Sequence, residues 1–421
     1  MSRTEATAEA SFEEQVRVSL RRNFTAHLCH GLLGQTGMRL INAPTFIPAY
    51  VFALSGSELA VGIARGVQYL GMFLSPVVGA TVIEHRRRVV PVALWVGALM
   101  RVQILGLALC GLLLAPPAAL VATCLFLGLF GAFLGVQGVA FNFLVAKVIP
   151  VERRGVLMGL RNALSGLTAA GVAIYAGRVL VEHDALGNGY AATFLLAFVL
   201  TSCGLAMIAF VREPESPRVR AVSRVSDRLR DLPALLRSDR QFTRYFLARA
   251  LAVMGRMAVP FYWIYAQSRM EMSGSRLGEL TAAFVLAQSV GNLFWGAAAD
   301  RRGFRVVFLA SLGLWMLSAL LLLQTTTYSG LLLVFAGLGT GLGGFQLSAQ
   351  SLVLEFGSRH NLPLRIAVAN SASELVAAIG AVAGGLLAMT VSLEAVFFVA
   401  VASQAIALGI VVVSVREPRV R

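Results

Sequence analysis

The chain has 421 residues, of which 57% are hydrophobic and only 14% are charged, and its mean hydropathy is +0.76. A water-soluble domain of this size carries far more charge, so the composition excludes the soluble globular class. The formal net charge of +15 would suit nucleic acid, but most of the arginines lie in short links between apolar runs. That placement argues against nucleic acid and for a lipid bilayer as the partner.

Residues 1–26 read as a cytoplasmic tail. Phe12, Val16 and Leu20 recur at helical spacing among Glu13, Glu14, Arg17, Arg21 and Arg22. The tail is expected either as a short amphipathic helix on the membrane surface or as a frayed terminus. It shows no short apolar core followed by a small-residue cleavage site, so it does not read as a signal peptide.

Twelve apolar runs follow, near 27–52, 58–82, 89–114, 117–146, 155–180, 190–211, 243–267, 277–299, 304–324, 329–355, 364–389 and 392–414. Each matches the roughly 20 helical residues that cross a hydrocarbon core of about 30 Å. His27 and His30 share a helix face beside Cys29, but two ligands do not complete a metal site, and no second Cys/His group joins them. No metal and no other cofactor is expected. Cys29, Cys110, Cys124 and Cys203 all fall in apolar runs without a pairing pattern and read as free thiols.

Positive charge orients the runs. With the N-terminus inside, the cytoplasmic segments hold the tail arginines, Arg86, Arg87, Arg88, Lys147, Arg153, Arg154, the basic 212–244 stretch, Arg301, Arg302, Arg305, Arg359, Arg365 and the C-terminal arginines. The opposite side keeps Arg178, Arg269 and Arg276. This asymmetry predicts both termini in the cytoplasm, with a short tail at 415–421. The one long link, 212–242, separates a first six-run unit, 27–211, from a second, 243–414. It contains Pro214, Pro217 and Pro233. Val225, Leu229, Leu232 and Leu236 recur at helical spacing, which places part of the link on the inner membrane face or leaves it a solvated linker.

The two units repeat. Arg39 precedes Gly79 by 40 residues (79 − 39) and Arg256 precedes Gly296 by 40 (296 − 256). Pro44 and Pro260 follow those arginines. Ser55-Gly56-Ser57 answers Ser273-Gly274-Ser275, Gly135-Val136-Gln137 answers Gly344-Phe345-Gln346, and Arg154 answers Arg365. Five matches in one order indicate a duplicated six-helix unit.

Between runs eight and nine stands Gly296-Ala-Ala-Ala-Asp300-Arg301-Arg302-Gly303-Phe304-Arg305. Gly296 removes a side chain where the helix end packs on a neighbour, Asp300 is an acceptor for an arginine or a helix N-terminus, and Gly303 permits the turn. The stretch resembles the Gly-x-x-x-Asp-Arg-x-Gly-Arg loop of the major facilitator superfamily, with Phe304 where the first basic residue after the second glycine belongs. In the first unit the counterpart is degraded: Gly79 is followed by Ile83 in the Asp position, with Glu84 one place late. The resemblance covers nearly the whole chain. It implies an all-α membrane protein of twelve transmembrane helices in two pseudo-symmetric six-helix bundles, a multi-pass protein of the cell (inner or plasma) membrane. It also implies a secondary transporter, antiporter or symporter, working by alternating access, with a central cavity lined by spans one, four, seven and ten. A monomer is expected.

Charges inside the bilayer cost about 2.5–3.5 kcal/mol each at a helix centre and survive when they face a partner or an aqueous cavity. Arg39 and Arg256, at matching positions, are candidates for a two-arginine clamp on an anion, or for packing partners of helix ends. Glu374, well inside run eleven, is the candidate for the coupling proton or for a fixed arginine partner. Arg65 and Arg101 read as structural, and Arg161 with Asn162 as neighbours of cavity or gate. Gln35, Asn42, Gln137, Asn142, Tyr262, Trp263, Gln346, Gln350 and Asn370 complete the candidate substrate site, while Tyr265 suits an interfacial belt. The expected gate comprises Gly296, Asp300, Arg301, Gly303 and Arg305 facing Arg154, and, more weakly, Gly79 and Glu84 facing Arg365. The expected function is proton-coupled transport of a small organic solute, anionic or amphipathic. The alternatives are proton-coupled multidrug-type efflux of cationic or neutral compounds, and a transport-inactive receptor or scaffold of the same fold. The chain has no Gly-x-x-x-x-Gly-Lys-Ser/Thr loop, and no convergent His/Asp or Ser/His set marks a membrane enzyme.

Overall fold

The computed structural model describes residues 3–216, 239–356 and 362–415, which are almost entirely helical. Pro217, Val225, Leu229, Leu232, Pro233, Leu236, Arg359 and the 416–421 tail lie outside the described residues.

The chain starts as helix α1 (Arg3–Val18), and the first apolar run is divided into α2 (Leu20–His30), a π-helical turn Gly31–Gln35, α3 (Thr36–Asn42) and α4 (Phe46–Ser55). Five uninterrupted helices follow, α5 (Glu58–Ile83), α6 (Val90–Leu113), α7 (Pro116–Val148), α8 (Val151–Tyr175, prolonged by the π-helical Ala176–Val181) and α9 (Gly189–Ile208). The seventh run is again divided, into α10 (Arg240–Met254), a 3-10 turn Gly255–Met257 and α11 (Phe261–Arg269). Then come α12 (Gly274–Arg302), α13 (Phe304–Gln324), α14 (Tyr328–Glu355), α15 (Leu362–Thr390) and α16 (Leu393–Ser414). Ten of the described helices are long and apolar enough to cross a membrane; the two broken runs are the remaining spans. The protein is therefore a multi-pass integral membrane protein.

Local chemistry sets the boundaries. Ser57, Asn188, Asp239, Ser273, Thr327 and Ser392 each accept from the backbone N–H three residues on, fixing the first turn of a helix. Gly303, at φ +85°, makes the reversal between α12 and α13 that a β-carbon would strain. The breaks follow from proline. Pro44 disfavours helical backbone at the residue before it, and Ala43 is accordingly extended at φ −57°, ψ 151°. The freed carbonyl of Ala43 accepts from Arg65 Nη2 at 2.8 Å, so the break is satisfied inside the protein. Pro260 starts α11 after the 3-10 turn.

The same packing occurs twice. α5 lies against α7 so closely that a β-carbon on Gly71 would stand 2.1 Å from the carbonyl oxygen of Gly128. In the second half α12 lies against α14 in the same way, and a β-carbon on Gly339 would stand 2.2 Å from the Phe284 carbonyl oxygen. α6 packs on both α7 and α9, as α13 packs on both α14 and α16. The halves meet through two long contacts, α5 with α15 and α8 with α12. Both contacts are tight at one end of the bundle. A β-carbon on Gly62 would meet the Ala381 carbonyl at 2.5 Å, and one on Gly177 would meet Gly278 Cα at 2.6 Å. The outer pieces of the broken spans, α4 and α11, also touch there. At the opposite end Gly155, Gly159 and Gly296 face open space. The bundle is thus closed at the end bearing the 56–57, 182–188, 270–273 and 391–392 links, and open at the end bearing the 84–89 and 303 links.

The N-terminal segment is folded onto the open end of the first half. Val16 is buried, and Phe12, Val16 and Arg17 line a groove with Lys147, Pro150 and Arg154. The Asn23 amide donates to the Arg212 carbonyl at 3.0 Å and accepts from the Arg212 N–H at 2.8 Å. Arg22 Nε donates to the Phe210 carbonyl at 2.7 Å. Within the expected tail, Asn23 and Ala26 are already buried.

Candidate functional site

Between the halves, toward the open end, lies a cavity of ≈ 320 Å³. Small-molecule sites span about 300–1,000 Å³, so a small solute fits. One face of α5 supplies Arg65, Gln68, Tyr69 and Met72, at the i, i+3, i+4, i+7 spacing of a helical stripe. A stripe of α14 supplies Leu342, Phe345, Gln346, Ala349 and Gln350 from the facing side. The first piece of span seven adds Arg249, Val253 and Arg256, α15 adds Ser373 and Glu374, and Asn42 enters from the end of α3.

The charged groups are held individually. Arg256 Nη1 donates to both oxygens of Glu374, at 3.1 and 3.3 Å, and the pair is half-buried. The Arg256 guanidinium also stands 4.1 Å above the ring of Tyr69, a cation–π contact that crosses between the halves. Arg65 donates to Gln68 Oε1 at 2.8 Å and to the Ala43 carbonyl, and Gln68 in turn donates to Asn42 Oδ1 at 3.1 Å. Arg249 donates to Asn370 Oδ1 at 2.9 Å and to the Ala349 carbonyl at 3.2 Å, which Tyr245 Oη also reaches at 2.6 Å. Arg249 Nε is buried without a hydrogen-bond partner.

The expected residues are only partly brought together. Arg256, Asn42, Gln346, Gln350 and Glu374 line the cavity, and Asn370 supports it through Arg249. Arg39 does not join Arg256 in a clamp. Its Nη1 donates across the half interface to Ser289 Oγ at 2.7 Å, while Arg256 is taken by Glu374. Gln35 accepts from Ser165 Oγ at 2.9 Å, Gln137 is buried with its carbonyl oxygen unpartnered, and Asn142 is exposed outside the cavity lining. Tyr262 and Trp263 are buried on the closed side, Tyr262 packing edge-on against Phe335 and Phe397. Span seven turns at its break, and that turn carries these aromatic rings away from the cavity. Arg65, expected as purely structural, is in the lining. Arg161 packs over Phe141 at 4.0 Å, beside His30, rather than at cavity or gate. Arg101 is structural, donating to the carbonyls of Thr201 and Gly97.

Tyr69, Arg249 and Ser289 escaped the sequence reading. Arg249 had a signal: it is a charge inside an apolar run, seven residues before Arg256 and so on the same helix face. Tyr69 had a weaker one, as the i+4 neighbour of Arg65.

The residues expected to form a gate lie apart in this conformation. Asp300 is exposed and has no ion-pair or hydrogen-bond partner among the described residues, and Arg301 is exposed. Arg154 donates to its own helix entry, at the carbonyls of Ile149 and Ala146. Arg305 Nη2 donates to the Val412 carbonyl at the end of α16 at 2.9 Å. Arg365 pairs with Asp239 at 2.8 Å and donates to the Phe356 carbonyl at 2.7 Å. Gly79 packs inside the first half against Val136, whereas Gly296 has open space where close packing was expected.

Two copies of one helical packing scheme, two spans broken at matching places and a polar cavity on the axis between them define a helical membrane protein built of two repeated bundles. A family model described as Major Facilitator Superfamily matches residues 245–421. The chain superposes on a D-xylose–proton symporter with a TM-score of 0.73 at 12% identity, covering 95% of this chain and 99% of that one. It superposes on a bacterial homologue of the iron transporter ferroportin, in an inward-facing state, with a TM-score of 0.68 at 16% identity over 94% and 98% of the two chains. The chain is thus similar to the major facilitator superfamily over its second half, and it shares the fold of these solved proteins over nearly its whole length. It is also 29% identical over 147 residues to the multidrug resistance protein MdtG of Salmonella choleraesuis (strain SC-B67). That alignment covers 34% of this chain and 36%, about a third, of the relative's length.

Proposed function

We propose that this protein is a secondary transporter of a small organic anion, moved by alternating access and coupled to protons through Glu374. One observation carries the reading: the cavity is lined by three guanidinium groups, Arg65, Arg249 and Arg256, against the single carboxylate of Glu374. Among the described residues, Arg65 and Arg249 have only neutral acceptors around them. A charge at membrane depth without a counter-charge costs about 2.5–3.5 kcal/mol, and an anionic solute supplies the missing one. Glu374 holds Arg256 while the site is empty and is positioned to take up a proton when a solute competes for that guanidinium.

In this reading the bundles 27–211 and 243–414 rock about the cavity, the 212–242 link and both termini are cytoplasmic, and the open end is the cytoplasmic end. The 84–89 and 303 links at the open end carry Arg86, Arg87, Arg88 and the flanking Arg301, Arg302 and Arg305, which supports that orientation. A second reading, proton-coupled efflux of cationic or neutral drugs, draws on the partial likeness to MdtG. Transport by purified protein in proteoliposomes, with and without a pH gradient, separates the two. Labelled carboxylates should move and respond to the gradient. Movement of a cationic dye with no movement of any carboxylate would overturn the anion reading.

A further inference from the structure

Building on the anion reading, we infer that the substrate is an organic dicarboxylate, gripped at one end by Arg249 and at the other by the Arg65–Arg256 pair. Three guanidinium groups against one carboxylate leave a surplus of two positive charges in the lining. The surplus is spread along the cavity rather than gathered at a point. Arg65 and Arg256 both adjoin Tyr69: Arg65 precedes it by one turn on α5, and Arg256 stacks on its ring at 4.1 Å. Arg249 precedes Arg256 by seven residues, which at about 1.5 Å per residue in α10 and about 2 Å in the 3-10 turn separates their backbones by roughly 10 Å. A compact anion placed at either end leaves the other uncompensated, whereas a solute with two acid groups on a short organic spacer meets both.

The Arg249 end is built for a ligand. The residue is 6% exposed, its Nε is buried without a partner, and its two bonded neighbours, Asn370 and the Ala349 carbonyl, bring no charge. Asn370 and Ala349 instead fix the plane of the guanidinium, which is the arrangement that favours bidentate capture of a carboxylate. The amides of Gln346 and Gln350, one turn apart and exposed on α14, lie along the same cavity and suit the polar flank of a spacer. Glu374 sets which end is engaged without competition: among the described residues Arg249 has no carboxylate partner, while the Arg256 end must first release Glu374.

The test is binding to the full-length purified protein by calorimetry at constant ionic strength, with butyrate, succinate, glutarate, adipate and glycerol 1-phosphate as probes. Wild type should bind the best dicarboxylate at least about tenfold more tightly than butyrate, with an optimum spacer length, since a second charge-assisted contact of about 1.4 kcal/mol is tenfold in affinity. Arg249→Gln should remove that preference, so that the dicarboxylates and butyrate bind within about threefold of one another, and should weaken butyrate relative to wild type, because the end open without competition is lost. If Arg249→Gln does not fold, the spacer-length series on wild type alone decides. Butyrate binding as well as every dicarboxylate overturns the two-ended site and leaves the anion reading standing. So does a preference for glycerol 1-phosphate over every dicarboxylate, which would indicate one compact anion. Absence of binding by all five, together with transport of a cationic dye, would overturn both.

Discussion

Arg256 has two partners of different kinds, and they belong to different halves. Glu374 supplies charge from α15, and Tyr69 supplies a π face from α5. Cation–π contacts contribute about 0.5–2 kcal/mol, so Tyr69 orients the guanidinium but cannot replace a carboxylate. Glu374→Gln keeps the shape and removes the charge. Transport by this variant should lose its dependence on a pH gradient while exchange of solute across the membrane persists, measured as counterflow in proteoliposomes. Unchanged gradient dependence would reject Glu374 as the proton carrier. Leaving a buried ion without its partner destabilises by about 3–5 kcal/mol, and by less here because the pair is half-buried. If Glu374→Gln unfolds, Glu374→Gln with Arg256→Gln restores balance and permits the same measurement. Arg256 and Glu374 were legible in the sequence because a lone charge in an apolar run is conspicuous. Their pairing was not, since residues 118 positions apart meet only through tertiary packing, and sequence equally allowed Arg256 to face Arg39. The aromatic residues misled for the complementary reason: Tyr262 and Trp263 are as apolar as they are polar, and their direction depends on a backbone break.

Among the helices, the uninterrupted spans were readable to within a few residues from the length of their apolar runs and their Ser, Thr, Asn or Asp caps. The breaks in spans one and seven were signalled by Pro44 and Pro260, but hydropathy alone passes over them, because the flanking residues stay apolar. The start of the central link held a further surprise. Glu213, expected in a loose linker, accepts from the backbone N–H groups of Val89 and Val90 at 2.7–2.8 Å and so caps α6. It also pairs with Lys147 of α7 at 2.8 Å, both side chains being almost fully buried, and Lys147 Nζ donates to the Arg87 carbonyl at 2.6 Å. One carboxylate thus ties the link, a helix N-terminus and a neighbouring helix together. Glu213→Gln leaves a buried ammonium unpaired and should lower stability by about 3–5 kcal/mol. Glu213→Gln combined with Lys147→Met, which removes both charges, should recover most of that loss. Detergent-solubilised protein followed by thermal unfolding reports the difference. Equal midpoints for wild type and the single variant would show that this ion pair does not hold the link.

At the scale of the whole molecule, the two ends are held by different chemistry, and in the alternating-access reading proposed above only one set of contacts exists at a time. The closed end is fastened across the halves by Arg178 with Glu279 at 2.5 Å, by Glu182 accepting from the Ser275 N–H at 2.7 Å, and by the paired hydroxyls of Thr45 and Thr281 at 2.6 Å. That backbone N–H holds the Glu182 carboxyl below the ordinary carboxylate range. The contact is therefore complete at neutral pH and is lost only as pH falls through the lowered value. At the open end the corresponding acceptor, Asp300, stands exposed, and α8 begins at Val151, so the positive end of its helix dipole is at that end too. Rocking that closes this end would bring Asp300 toward that N-terminus and Arg154, where the helix dipole adds about 0.3–1 kcal/mol. Removing charge at the two ends should then act in opposite directions. Asp300→Asn weakens the absent latch and should raise the population of the conformation described here, whereas Glu279→Gln weakens the present one and should lower it. A single cysteine at Gln346, exposed in the cavity, in a background with the four native cysteines replaced, reports which conformation prevails through its rate of alkylation from the open end. The expected order is Asp300→Asn fastest, wild type intermediate and Glu279→Gln slowest. Equal rates in wild type and Asp300→Asn would mean that the 296–305 loop is a turn and not a gate, even if Glu279→Gln behaves as expected.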